Sequence, residues 1–189
     1  MSGLAETALA AFVALRPGVG DADRAWFANV AADVATVVQD EPARLLPFGG
    51  AAAARERAVR LLVAVAWHET GLRPDIDRCE RFGDGGRSVG LWQIHQSSGW
   101  GGYSTRAELC GDRRAQVRAA SRALAFGVAR CGGTVAGAAT AYNAGRCGEP
   151  GAYARHVEAA LARVEEKRRA KVAPVGATGV ASVARRPAR

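Results

Sequence analysis

The stretch ARERAVRLLVAVAWHETG, residues 54–71, constrains this chain more than any other. Val59, Leu62, Val63, Ala66 and Trp67 recur at helical spacing and form one apolar stripe. Leu61 and Val65 add apolar groups on the other side. A helix that is apolar nearly all round has to be enclosed by other elements. The spacing therefore predicts a central, buried helix from about Ala53 to Thr70. Gly71 supplies its C-terminal stop and Pro74 confirms it.

The rest of the chain reads as helices able to enclose that one. Leu4, Ala8, Ala11, Phe12 and Leu15 mark a helix closed by Pro17, and Phe27, Val30, Val34, Val37 and Val38 mark another. The second starts at Asp21 as N-cap and stops before Pro42. Further helices are predicted at about 113–130, at 134–144 with Thr134 as N-cap, and at 150–168. Pro47 and the Gly49–Gly50 pair make 43–52 a connector, while 75–88 and 97–112 read as loop. Residues 89–94, VGLWQI, suit a small strand or an extended floor. Three regions follow: a helical segment 1–50 packing on the main domain, a main domain 51–169, and a basic, disordered tail 170–189 rich in Ala, Gly, Val, Pro and Arg.

The chain has 189 residues, enough for one core, and a formal charge of +8. A basic surface favours an anionic partner: nucleic acid, a membrane surface or an anionic cell-wall polymer. The basic residues are scattered and lack interleaved aromatics, which speaks against a nucleic-acid interface. No apolar run approaches the length of a membrane span. Residues 1–16 lack a basic n-region and carry Glu6, so no secretory signal is expected there. A monomer without cofactor is expected. There is no metal-ligand spacing, phosphate-binding glycine motif or nucleophile elbow.

The four cysteines, Cys79, Cys110, Cys131 and Cys147, lack a C-x-x-C pair. Two disulfides, free buried thiols and a metal site are the alternatives. The preferred reading is Cys79–Cys110 and Cys131–Cys147, the second pair bracing two consecutive helical segments.

Glu69 stands in the last turn of the apolar helix. Burial disfavours a charged carboxylate, and so does the negative end of the helix dipole. Both raise the pKa. A carboxylic acid still protonated near neutral pH is what a glycosidic leaving group requires, a pattern for which lysozyme is the reference case. The plainer alternative is an ionised glutamate at a helix end, paired with Arg73 or Arg87.

Three segments in order, ETGLRP at 69–74, GLWQI at 90–94 and AYNAG at 141–145, resemble the motifs of the soluble lytic transglycosylases and goose-type lysozymes. The resemblance spans about residues 53–165. It implies an α+β, predominantly helical, lysozyme-like fold with a small extended segment flooring a glycan cleft. The implied partner is the peptidoglycan glycan strand, cut between N-acetylmuramic acid and N-acetylglucosamine. Glu69 then matches the catalytic acid. Gln93 and the backbone at Gly90 and Leu91 match the groove floor, with Thr70 and Ser88 beside it. Tyr142 and Asn143 match the pair flanking the glutamate, although Tyr142 also ends an apolar stripe. Trp92 stands where the motif has methionine; its indole either stacks on a sugar or fills the core. His95 either touches substrate or sits at the cleft rim.

The same resemblance offers Asp84, in a glycine-rich loop before GLWQ, as a second carboxylate holding water. Its alternative is an exposed turn aspartate near Arg87. A lytic transglycosylase needs one acid/base and gives a 1,6-anhydro product; a goose-type lysozyme adds water; a non-catalytic glycan-binding module needs neither. Asp75, Asp77 and Glu80 have no spacing argument. His68 reads as a packing residue and His156 has no partner in the sequence. The implied place of action is the cell wall, periplasmic, extracellular or phage-delivered.

Overall fold

The computed structural model describes residues 2–95 and 105–172. Helix α1 (Gly3–Leu15) is capped by Ser2, whose hydroxyl accepts from the Ala5 amide. It lies against α2 (Asp21–Asp40), with the Phe12 and Phe27 rings stacked at 5.3 Å between centroids. A short 3-10 turn, Ala43–Leu45, interrupts the connector to α3 (Ala52–Thr70).

Helix α3 is the enclosed one. Every residue from Leu61 to Ala66 is fully buried, and α1, α2 and two later helices, α6 (Arg113–Arg130) and α8 (Ala152–Val172), pack around it. Burying one such Leu or Val side chain contributes about 1.5–3 kcal/mol, so this run alone is a large part of what drives folding. Gly71 ends the helix in the left-handed region at φ 61°, where a side chain would be strained. Pro74 does more than follow the stop: it opens a second short helix, α4 (Pro74–Asp77), as its first residue.

A 3-10 turn at Asp84–Gly86 leads into β1 (Ser88–Val89), which pairs antiparallel with β2 (Ile94–His95). This hairpin is the extended segment expected at 89–94, folded back on itself around residues 90–93. The remaining helices are α5 (Arg106–Gly111), α6 (Arg113–Arg130), α7 (Val135–Ala144) and α8 (Ala152–Val172). The α6–α7 contact is tight: a Cβ on Gly137 would stand 2.0 Å from the Cys131 carbonyl oxygen.

Four expectations need correction. Asp21 is the first helical residue, not the cap; Gly20 holds the cap position, and the acid serves the first turn of the dipole instead. Helix α5 lies inside the 97–112 segment expected to be loop. Its signal was legible as Thr105–Glu108, a capping box with both reciprocal bonds formed. Helix α8 continues to Val172, beyond the expected end at 168 and into the tail assigned from 170. The free-thiol and metal readings of the cysteines fall, because Cys79–Cys110 and Cys131–Cys147 are both bonded. Residue 96, residues 97–104 of the expected loop and residues 173–189 of the expected tail lie outside the described residues.

A polar network joins α2, α4 and α6. Arg113 donates to both oxygens of Asp77 (2.8 and 2.6 Å) and to Asp33 (2.7 Å), and the Trp26 indole N–H donates to Asp77 (2.8 Å). Asp77 is buried, so these charge-assisted bonds offset its desolvation. With the Cys79–Cys110 bridge they fix the root of the loop that carries Asp84.

Candidate active site

Glu69 is the penultimate residue of α3, directly before the helix stop. The Tyr153 phenol, from the first turn of α8, donates a hydrogen bond to its Oε1. Burial raises the Glu69 pKa most, the Tyr153 bond pulls it back, and the charge of Asp84 raises it again; the result is about 7 against an ordinary value of 4.5. Neither arginine that an ionised surface glutamate would need is turned to it. Arg73 is engaged bidentately by Asp75 (3.1 and 2.6 Å), and Arg87 donates to the Asp84 carbonyl at 3.1 Å. Burial thus keeps a substantial share of Glu69 protonated at neutral pH, where an ordinary glutamate is ionised.

Asp84 stands opposite, in the glycine-rich loop. Its backbone is left-handed at φ 47°, and its carboxylate accepts from the buried Ser88 hydroxyl at 2.9 Å. The side chain is exposed, yet its charge still reaches Glu69.

The hairpin floor is assembled from the GLWQI motif. Gly90, at φ 71°, is pressed against the buried Gln116 of α6; a Cβ there would lie 1.8 Å from the Gln116 Oε1. That amide is a clamp. Its Oε1 accepts from the Leu91 N–H (3.2 Å) and its Nε2 donates to the Leu109 carbonyl (2.9 Å). Thr70 ties the floor to α3, donating to the Ala66 carbonyl at 2.9 Å and lying 3.4 Å from the Leu91 carbonyl. Gln93 is half-buried, with Nε2 donating to the Gly90 carbonyl at 3.0 Å.

Several expected sugar contacts therefore turn inward. Trp92 is fully buried and its indole N–H donates to the Leu62 carbonyl at 2.9 Å, so it fills the core and does not stack on a sugar. The side chains of Thr70, Ser88 and Leu91 are likewise buried, so they shape the floor without offering it a surface. Tyr142 is buried and donates to the Trp92 carbonyl at 2.6 Å; it supports the hairpin, while its charge coupling to Glu69 shows that it stands close by. Asn143 is exposed, and His95, at the end of β2, is partly so.

Two participants escaped sequence reasoning. Tyr153 was legible only as one member of the apolar stripe of α8, since nothing in a stripe says that a phenol meets a carboxylate 84 positions away. Gln116 is a buried polar residue in an otherwise apolar-faced helix, a weak signal of a structural hydrogen bond.

A comparison with protein-family profiles matches residues 47–160 to the transglycosylase SLT domain. The chain belongs to the SLT transglycosylase domain family. Comparisons with curated proteins and with solved structures returned no match. The SLT match covers more than half of the chain, and α3, the hairpin, α6, α7 and the first turns of α8 all fall inside it. Members of this family are lytic transglycosylases acting on peptidoglycan, and the mostly helical architecture with one small antiparallel hairpin is the lysozyme-like fold of the SLT domain. The SLT chain is therefore an enzyme of the cell-wall glycan. None of its described helices is long and apolar enough to cross a membrane.

Proposed function

We propose that this SLT domain cleaves the β-1,4 bond between N-acetylmuramic acid and N-acetylglucosamine as a lytic transglycosylase, with Glu69 as its general acid and base. The observation that carries this reading is the place of Glu69 at the end of the buried helix α3, inside the SLT match and held by the Tyr153 phenol, where burial lifts its pKa to about 7. Protonated Glu69 gives its proton to the glycosidic oxygen as the bond to the muramic C1 breaks. The resulting carboxylate then takes the proton of the muramic 6-hydroxyl, whose oxygen closes on C1. One group suffices, no water is consumed, and the product ends in a 1,6-anhydro ring. Such positioned proton transfer contributes on the order of 10²–10⁴-fold in rate. Tyr153 holds the carboxyl in place, and the floor formed by Gly90, Leu91 and Gln93 supports the glycan.

A goose-type hydrolysis, with Asp84 positioning water, is the second reading. It is favoured by one observation: the Asp84 charge reaches Glu69. Mass spectrometry of fragments released from purified peptidoglycan separates the two. Fragments ending in 1,6-anhydromuramic acid are expected. Reducing ends, one water heavier, would refute transglycosylation and bring Asp84 forward.

We further infer that residues 51–169 form the catalytic unit, buttressed by residues 1–50 through the packing of α1 and α2 on α3, α6 and α8, with 170–189 as a basic extension. Two disulfides suit work in an oxidising place, periplasmic or extracellular.

A further inference from the structure

The seam between α3 and α8 carries a pair of imidazoles that the glycosidase chemistry does not use. His68 precedes Glu69 on α3, and His156 lies on α8 one turn after Tyr153. Their ring centroids are 5.2 Å apart with planes inclined at 48°. His68 also meets the Tyr153 ring edge-on at 4.5 Å. Among the described residues no hydrogen bond engages either imidazole. Their ring nitrogens thus have no hydrogen-bond partner among the described residues, while His156 is exposed and His68 half-buried.

We propose that His68 and His156 together bind one borderline divalent transition-metal ion, of the Zn²⁺ type, between α3 and α8. The separation suits it. An imidazole nitrogen lies about 1.1 Å from its ring centre and a Zn–N bond is about 2.0–2.1 Å, so two rings sharing a tetrahedral ion keep their centres about 5 Å apart. The ligand form of histidine is the neutral imidazole. Nitrogen donors select Zn²⁺, Ni²⁺ or Cu²⁺ over Mg²⁺ or Ca²⁺. No group of three or more His, Cys, Asp or Glu side chains able to hold a metal stands among the described residues. With two protein ligands the ion would complete its coordination with water.

The test uses the untagged, disulfide-intact chain and ZnCl₂ in isothermal titration calorimetry. One equivalent is expected, with no competition from Mg²⁺. The chain has three histidines, which supplies an internal control. His156→Ala weakens binding by at least about tenfold, the scale on which loss of a metal-site partner is felt, whereas His95→Ala leaves it unchanged. His156 is exposed, so its replacement does not endanger folding. Absence of Zn²⁺ binding, or equal binding by His156→Ala, overturns the site.

Discussion

Replacing Tyr153 by phenylalanine keeps the ring that packs beside His68 and removes only the hydroxyl that donates to Glu69. That bond stabilises the carboxylate, and it is the one influence that lowers a pKa otherwise raised by burial and by Asp84. A hydrogen bond to a charged group contributes about 1.5–3 kcal/mol, and one pKa unit corresponds to about 1.36 kcal/mol. Tyr153→Phe should therefore move the Glu69 midpoint upward by about 1–2 units from its value near 7. The acid has to be protonated to act, so the alkaline limb of kcat/KM, which reports the free enzyme, moves to higher pH by the same amount. Asp84→Asn removes a neighbouring negative charge and moves the limb the other way, by a smaller step because Asp84 is exposed and screened. The assay is the pH dependence of initial cleavage rates on a soluble, uncrosslinked glycan. An unmoved or lowered limb in Tyr153→Phe, with the protein folded by circular dichroism, would show that the phenol does not set the acid. A raised limb in Asp84→Asn would contradict the electrostatic account.

Other consequences follow from the same geometry. The folded-state pKa of Glu69 is raised above its unfolded value, so the associated stability is fully present below about pH 4.5 and is lost as pH rises through about 7. Glu69→Gln abolishes cleavage, and at pH 8 it stabilises the fold by on the order of 2–3 kcal/mol, with no gain at pH 4; thermal melts at the two pH values decide this. Gly90→Ala forces a Cβ into the Gln116 amide at a positive φ and costs about 1–3 kcal/mol, to be read as a lowered denaturation midpoint with reduced activity. Reduction of Cys79–Cys110 and Cys131–Cys147, which close loops of 31 and 16 positions, removes about 3–4 kcal/mol each in the chain-entropy description. Urea titration with and without reductant measures it, and coincident curves would contradict a stabilising role.

Periodicity made the helices legible, because an apolar stripe has only one way to be satisfied: α3 reads as central from its own residues, and α6 and α7 fall where their stripes place them. Glycine and proline placed the breaks, since their backbone preferences are local. The acid itself was legible, because a carboxyl at the end of an apolar helix already predicts a raised pKa. The fate of each floor residue was not. GLWQI reads as a row of possible contacts, but the turn at Gly90 and the Gln116 clamp decide which side chains face inward, and Trp92 is among them. Tyr153 and the His68–His156 pair became visible only once α8 lay against α3. Spacing along one chain carries local conformation and burial. Which side chain from a distant helix donates to Glu69 depends on how two apolar faces dock, and that packing exists only in three dimensions.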